Sequence, residues 1–87
     1  MEEKDWNIIA KEALHDDFAF DELYEHFFPR IYNLIYARVK DAATADDIVS
    51  DVFEKLVTHL DSFDSTKASF ATWLSRIATR TLTDYYR

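Results

Sequence analysis

The stretch Phe63-Asp-Ser-Thr-Lys-Ala-Ser-Phe-Ala-Thr-Trp-Leu-Ser-Arg-Ile-Ala-Thr-Arg-Thr-Leu-Thr-Asp-Tyr-Tyr-Arg87 reads as a polar loop followed by an amphipathic helix. The helix is predicted from about Ser69 to Tyr86. At about 100° per residue, Ser69, Thr72, Arg76, Thr79, Arg80, Thr83 and Arg87 fall within one arc of roughly 100° that contains no acid. Phe70, Trp73, Leu74, Ile77, Ala78, Leu82 and Tyr85 are expected on the opposite side, where they would anchor the helix to a core.

Working outward, the same helical spacing recurs three more times. A first helix is predicted from about Asp5 to Leu14, with Asp5 as N-cap and Trp6, Ile9, Ala10 and Leu14 on one face. A second runs from about Asp21 to Lys40, with Leu23, Tyr24, Phe27, Phe28, Ile31, Leu34, Ile35 and Val39 apolar. Pro29 falls inside it and is expected to kink or divide it. A third runs from about Thr44 to Leu60, with Thr44-Ala-Asp-Asp47 as a variant capping box. Its apolar stripe is Ile48, Val49, Val52, Phe53, Leu56, Val57 and Leu60. Asp61 to Ala68 is predicted as a loop anchored by Phe63.

Composition supports this all-α reading, a compact bundle of about four helices. Gly is absent and Pro occurs once among 87 residues, which disfavours the tight turns of hairpin folds. The length suits a single domain, and 48% hydrophobic residues can supply its core. Without Cys there is neither a disulfide framework nor a thiolate metal site. No apolar run approaches the roughly 20 residues of a membrane span. The acidic N-terminus, Met-Glu-Glu-Lys-Asp, is not a signal peptide, so a cytoplasmic location is expected.

Charge is unevenly spread. The chain carries −7 overall, yet residues 67–87 hold four basic residues against one acid, or +3, which leaves −10 for residues 1–66. Arg forms bidentate bonds to phosphate or guanine edges, and Thr and Ser donate single bonds to phosphate oxygens. The last helix therefore has the chemistry of a nucleic-acid-facing element. The third helix has the opposite character. Asp46, Asp47, Ser50, Asp51 and Glu54 are expected on its outer side, a face suited to a basic partner helix.

Four stretches resemble a known family. They are Leu23-Tyr24 through Phe28-Pro29-Arg30-Ile31-Tyr32, then Ala45-Asp46-Asp47-Ile48-Val49-Ser50-Asp51-Val52-Phe53, the aromatic Phe63, and Phe70-Ala71-Thr72-Trp73-Leu74-Ser75-Arg76-Ile77-Ala78. Together they resemble region 2 of bacterial RNA polymerase sigma factors of the extracytoplasmic-function (ECF) group, over about residues 20–87. The resemblance implies a factor in transcription initiation that binds the clamp helices of the largest subunit of core RNA polymerase and recognises and melts the promoter −10 element. By position, Asp47, Ser50, Asp51 and Glu54 would face the polymerase. Arg76, Thr79, Arg80 and Thr83 would meet the upstream duplex. Ser65, Thr66, Lys67 and Ser69 would meet the separated non-template strand. Thr72 and Arg87 complete the DNA-facing stripe. An anti-sigma factor is a further partner the family implies.

Two positions depart from the ECF pattern. Arg80 stands where many members have Asn, and Thr79-Arg80-Thr81-Leu82 is closer to the Thr-Arg-Ser-Ile of housekeeping sigma factors. Ser50 stands where Gln is commoner. The −10 sequence preference is therefore not carried over. Nothing in the chain corresponds to the −35-reading domain, so an isolated region 2 is expected.

Readings from other classes are weaker. Glu12-Ala-Leu-His15 has the Glu-x-x-His spacing of di-iron bundles but no second copy. Glu22 and His26 share a helix face, and His59 lies near a helix end. A Gly-rich phosphate loop is excluded, so neither an enzyme nor a cofactor, metal site or small-molecule substrate is expected. The remaining alternative is a helical protein-binding adaptor, or an anti-sigma decoy, that makes no DNA contact.

Overall fold

The structure, a computed structural model, describes residues 4–87. It contains α1 (Trp6–Glu12), α2 (Asp17–Val39), α3 (Ala42–His59) and α4 (Phe70–Tyr85), with a single 3₁₀ turn at Leu60–Ser62. No strand occurs among the described residues. The all-α architecture matches the sequence reading. α2, α3 and α4 pack on one another, and α1 lies against α2 and α4.

Each helix starts at a side chain that satisfies N–H groups left without an intrahelical partner. Asp5 caps α1 as expected, accepting from the N–H groups of Asn7 and Ile8 at 3.0 and 3.3 Å. The helix stops at Glu12, short of the predicted Leu14. There the chain tightens, with the N–H of Leu14 bonded to the Lys11 carbonyl and that of His15 to the Glu12 carbonyl. Leu14 consequently points outward and is 41% exposed.

α2 begins four residues earlier than predicted. Asp16 accepts from the Phe18 N–H at 2.9 Å and starts the helix before Asp21. Pro29 does not divide it. Pro29 and Glu25 both lie on the exposed side, so the carbonyl deprived of its helical N–H faces solvent and can be hydrated. The core line is Ala19, Leu23, Phe27, Ile31 and Ile35, each four residues apart. Leu34 lies off this line and is exposed. At the C-cap, Lys40 adopts the left-handed conformation (φ 54°, ψ 32°), a position that glycine usually takes and that costs a Cβ-bearing residue about 1–2 kcal/mol.

α3 corrects the predicted capping box. Its N-cap is Asp41, not Thr44. Asp41 Oδ2 accepts from both the N–H and the hydroxyl of Thr44, at 2.9 and 2.6 Å, so Thr44 lies inside the first turn. A carboxylate outperforms a hydroxyl here because it accepts both bonds and carries the charge favoured at a helix N-terminus. Ala45, Ile48, Val49, Val52, Phe53 and Leu56 are buried. Val57, which the stripe placed in the core, is 61% exposed. The helix ends at His59, and Leu60 is buried within the 3₁₀ turn.

α4 is held by Phe70, Leu74, Ala78 and Leu82. The Phe70 ring meets Phe27 and Phe63 edge-on, with centroids 5.1 and 5.4 Å apart. Phe63 is thus the loop anchor its position suggested. Complete burial of Phe70 contributes roughly 1.5–3 kcal/mol.

Candidate nucleic-acid interface

The outer face of α4 forms an open groove of about 860 Å³. Thr72, Arg76, Thr79, Arg80, Thr83 and Arg87 line it, together with Ala71, Ser75 and Asp84. Six of the seven residues in the predicted arc are therefore brought together, and one acid, Asp84, stands among them. Among the described residues the three arginines form no ion pair, so their N–H donors remain available. Thr83 is less free, because its hydroxyl donates to the Thr79 carbonyl at 2.9 Å.

The seventh residue, Ser69, is absent from the groove lining and serves as the N-cap of α4. Its Oγ accepts from the Thr72 N–H at 3.2 Å, and its hydroxyl bonds the Thr72 hydroxyl at 3.0 Å. The loop residues are likewise locally engaged. Asp64 Oδ1 accepts from the Thr66 N–H and hydroxyl at 2.9 and 2.6 Å, closing an Asx turn. These bonds, ahead of the nearby Lys67 and Lys11 charges, hold the Asp64 carboxyl below its usual range. Ser65 is half-buried and Lys67 is exposed. The structure does not place Ser65, Thr66 or Lys67 in the α4 groove.

A second notch adjoins the groove between α3 and α4. Lys55, His59, Trp73, Ile77 and Thr81 line it with Arg76 and Arg80. Lys55 Nζ donates to the Thr81 hydroxyl oxygen at 3.1 Å, and that hydroxyl donates to the Ile77 carbonyl at 2.7 Å. Trp73 lies at the margin of the basic face, half-buried, with its ring 5.5 and 5.6 Å from Phe63 and Phe70. The sequence reading placed it wholly on the core side and omitted Lys55. A signal for Lys55 existed: it follows Asp51 and precedes His59 at i, i+4 spacing, which places it at the border of the acidic face rather than within it.

Asp47, Ser50, Asp51 and Glu54 are all exposed on the outer side of α3, as is Asp46. Val57 joins them through i, i+3 spacing with Glu54, so the face is acidic with an exposed apolar residue at its end. Its exposure was not legible because Val57 also continues the Val49–Phe53 line. Glu12 and His15 close α1 and occupy the following turn, both exposed. Glu22 pairs with Lys4, whereas His26 stacks on Trp6. No group of three His, Asp or Glu residues gathers to hold a metal among the described residues. No helix among them is long and apolar enough to cross a membrane.

Comparison with known proteins gives this geometry a context. Residues 23–87 match the family described as Sigma-70 region 2. The chain is 29% identical over 80 residues to the ECF RNA polymerase sigma factor SigK of Mycobacterium tuberculosis, covering 92% of this chain and 43% of that protein. It is 35% identical over 72 residues to the ECF RNA polymerase sigma factor SigW of Bacillus subtilis, covering 83% and 38%. With BldN of Streptomyces coelicolor, another ECF sigma factor, identity is 32% over 69 residues, covering 79% and 26%. The chain thus spans less than half the length of these relatives.

Proposed function

Because the chain belongs to the Sigma-70 region 2 family, we propose that it binds core RNA polymerase through α3 and recognises and melts the promoter −10 element through α4 and the loop before it. The observation that carries this reading is the α4 groove: three arginines that form no ion pair among the described residues, and three threonines, gathered on one face of a chain whose net charge is −7. Surfaces normally intersperse both signs, so this segregation favours a phosphate-rich partner.

In this reading Arg76, Thr79, Arg80 and Thr83 contact the upstream duplex, with Thr72 and Arg87 at the ends of the footprint. Ser65, Thr66, Lys67 and Ser69 meet the separated strand. Thr66 and Ser69 would exchange their present local bonds for bonds to a base or phosphate. Strand opening requires no catalytic group. Capture of an unstacked base offsets an unstacking cost of a few kcal/mol. Asp47, Ser50, Asp51 and Glu54 face the basic side of the polymerase clamp helices, in the cytoplasm, and an anti-sigma factor can compete for the chain.

The test is equilibrium binding of a single-stranded −10 oligonucleotide at several salt concentrations. Binding that weakens with salt, and is lost in Arg76→Ala with Arg80→Ala, supports the reading. Equal binding by the double variant rejects the DNA role of α4.

A further inference from the structure

The α4 groove does not stop at the first turn of the helix. Ala71, at its near end, also borders a notch walled by Lys4, Trp6, His26, Phe27 and Arg30. This notch has an aromatic floor. The Trp6 and His26 rings stack with centroids 4.0 Å apart and an interplanar angle of 20°. Phe27 meets both edge-on, at 5.4 Å from Trp6 and 4.8 Å from His26.

Basic groups converge over that floor. Lys4 Nζ lies 5.8 Å from the Trp6 ring centroid and pairs with Glu22. Arg30 is exposed and forms no ion pair among the described residues. Burial, then the Arg30 and Lys4 charges, hold the His26 imidazole below its ordinary 6.5. Among the described residues the charged groups that line or pair at this notch are Lys4 before α1 and Glu22 and Arg30 on α2, while α4 contributes Ala71. Among these described residues, one acid stands against two fixed cations and a third group able to become one.

We propose that this notch holds a backbone phosphate of the DNA strand lying along α4, so that the nucleic-acid footprint runs on past Ala71 to Arg30. A phosphate fits better than a base. His26 covers one face of Trp6, and Phe27 packs on both rings, so the aromatic floor is already engaged and the free chemistry is cationic. Continuity with the groove through Ala71 favours a strand over an unrelated acidic ligand. A phosphate here would also stabilise the imidazolium of His26, coupling strand binding to proton uptake.

This inference rests on the DNA reading of α4, and the experiment separates the two. The chain is titrated with a single-stranded −10 oligonucleotide, following anisotropy against salt and the His26 imidazole by NMR. Arg30→Gln is expected to weaken binding several-fold and to reduce the slope of log K against log salt by about 0.7, the value for one single-strand phosphate. The oligonucleotide is expected to raise the His26 pKa, and inorganic phosphate at matched ionic strength is expected not to. If Arg30→Gln leaves affinity and slope unchanged while Arg76→Ala with Arg80→Ala abolishes binding, the notch is not part of the footprint and the α4 reading stands. If the double variant binds normally, both fail. If inorganic phosphate moves His26 as far as the oligonucleotide does, the notch is a general anion site and the strand assignment is overturned.

Discussion

The side-chain oxygen of Asn7, on α1, accepts the backbone N–H of Phe70 at 2.7 Å, across 63 residues of sequence. Phe70 is the first residue of α4, and its N–H has no partner within that helix. Ser69 satisfies the Thr72 N–H, so two side chains share the capping of α4, one local and one from a distant helix. The bond fixes where α4 begins relative to α1, and with it the alignment of the Ala71–Arg87 groove with the notch beside Trp6.

Asn7→Ala should therefore destabilise the chain by about 1 kcal/mol, within the range of helix-cap losses. Asn7→Asp, which keeps the acceptor, should cost less. Urea unfolding followed by circular dichroism measures both. Equal loss from the two variants would mean that the hydrogen bond is not what Asn7 contributes.

Adjacent residues on α3 offer a second test. Leu56 is 1% exposed and Val57 is 61% exposed, although both belong to one apolar run. Leu56→Ala is expected to cost about 2–5 kcal/mol through lost burial and a residual cavity. Val57→Ala should change stability by no more than about 0.5 kcal/mol. Its effect should appear in binding to a clamp-helix fragment instead. A large stability loss at Val57 would restore it to the core.

These residues show what periodicity can and cannot resolve. The four helices and the lines Leu23–Phe27–Ile31–Ile35 and Phe70–Leu74–Ala78 were legible because a helix repeats every 3.6 residues. The stripe's edge was not, since Val57 and Phe53 differ by about one turn and the depth of each depends on the neighbouring helix. Helix starts were misplaced where several capping residues competed. Asp16 and Asp21 could each start α2, and Asp41 and Thr44 could each start α3, and only the folded chain selects between them. The arginine groove follows from helical projection alone. Lys55, Trp73 and the Lys4–Arg30 notch do not, because each depends on which helices become neighbours.

Acid should destabilise the fold in two stages. His26 has its pKa lowered from 6.5, so the unfolded chain binds the proton more readily than the folded one. Its stabilising contribution is complete above pH 6.5 and declines as pH falls through the folded value. Asp41 and Asp64, held by bonds from Thr44 and Thr66, have carboxyls lowered from 3.8. Their contribution is present above pH 3.8 and is lost as pH falls through their folded values. Thermal melts between pH 8 and 2.5 should show both declines, and His26→Phe should remove the upper one alone. An unchanged upper decline in His26→Phe would assign it to another group.

In the proposed function one small bundle joins polymerase and promoter through separate faces, α3 and α4. The most direct measurement is assembly of the chain with core RNA polymerase on a promoter fork whose −10 non-template strand is exposed. Arg76→Ala with Arg80→Ala should retain polymerase binding and lose capture of the fork. Asp51→Lys with Glu54→Lys should lose polymerase binding while direct, salt-sensitive binding of the −10 strand persists. Fork capture by the arginine variant at the wild-type level, or unaltered polymerase affinity in the α3 variant, would contradict the account.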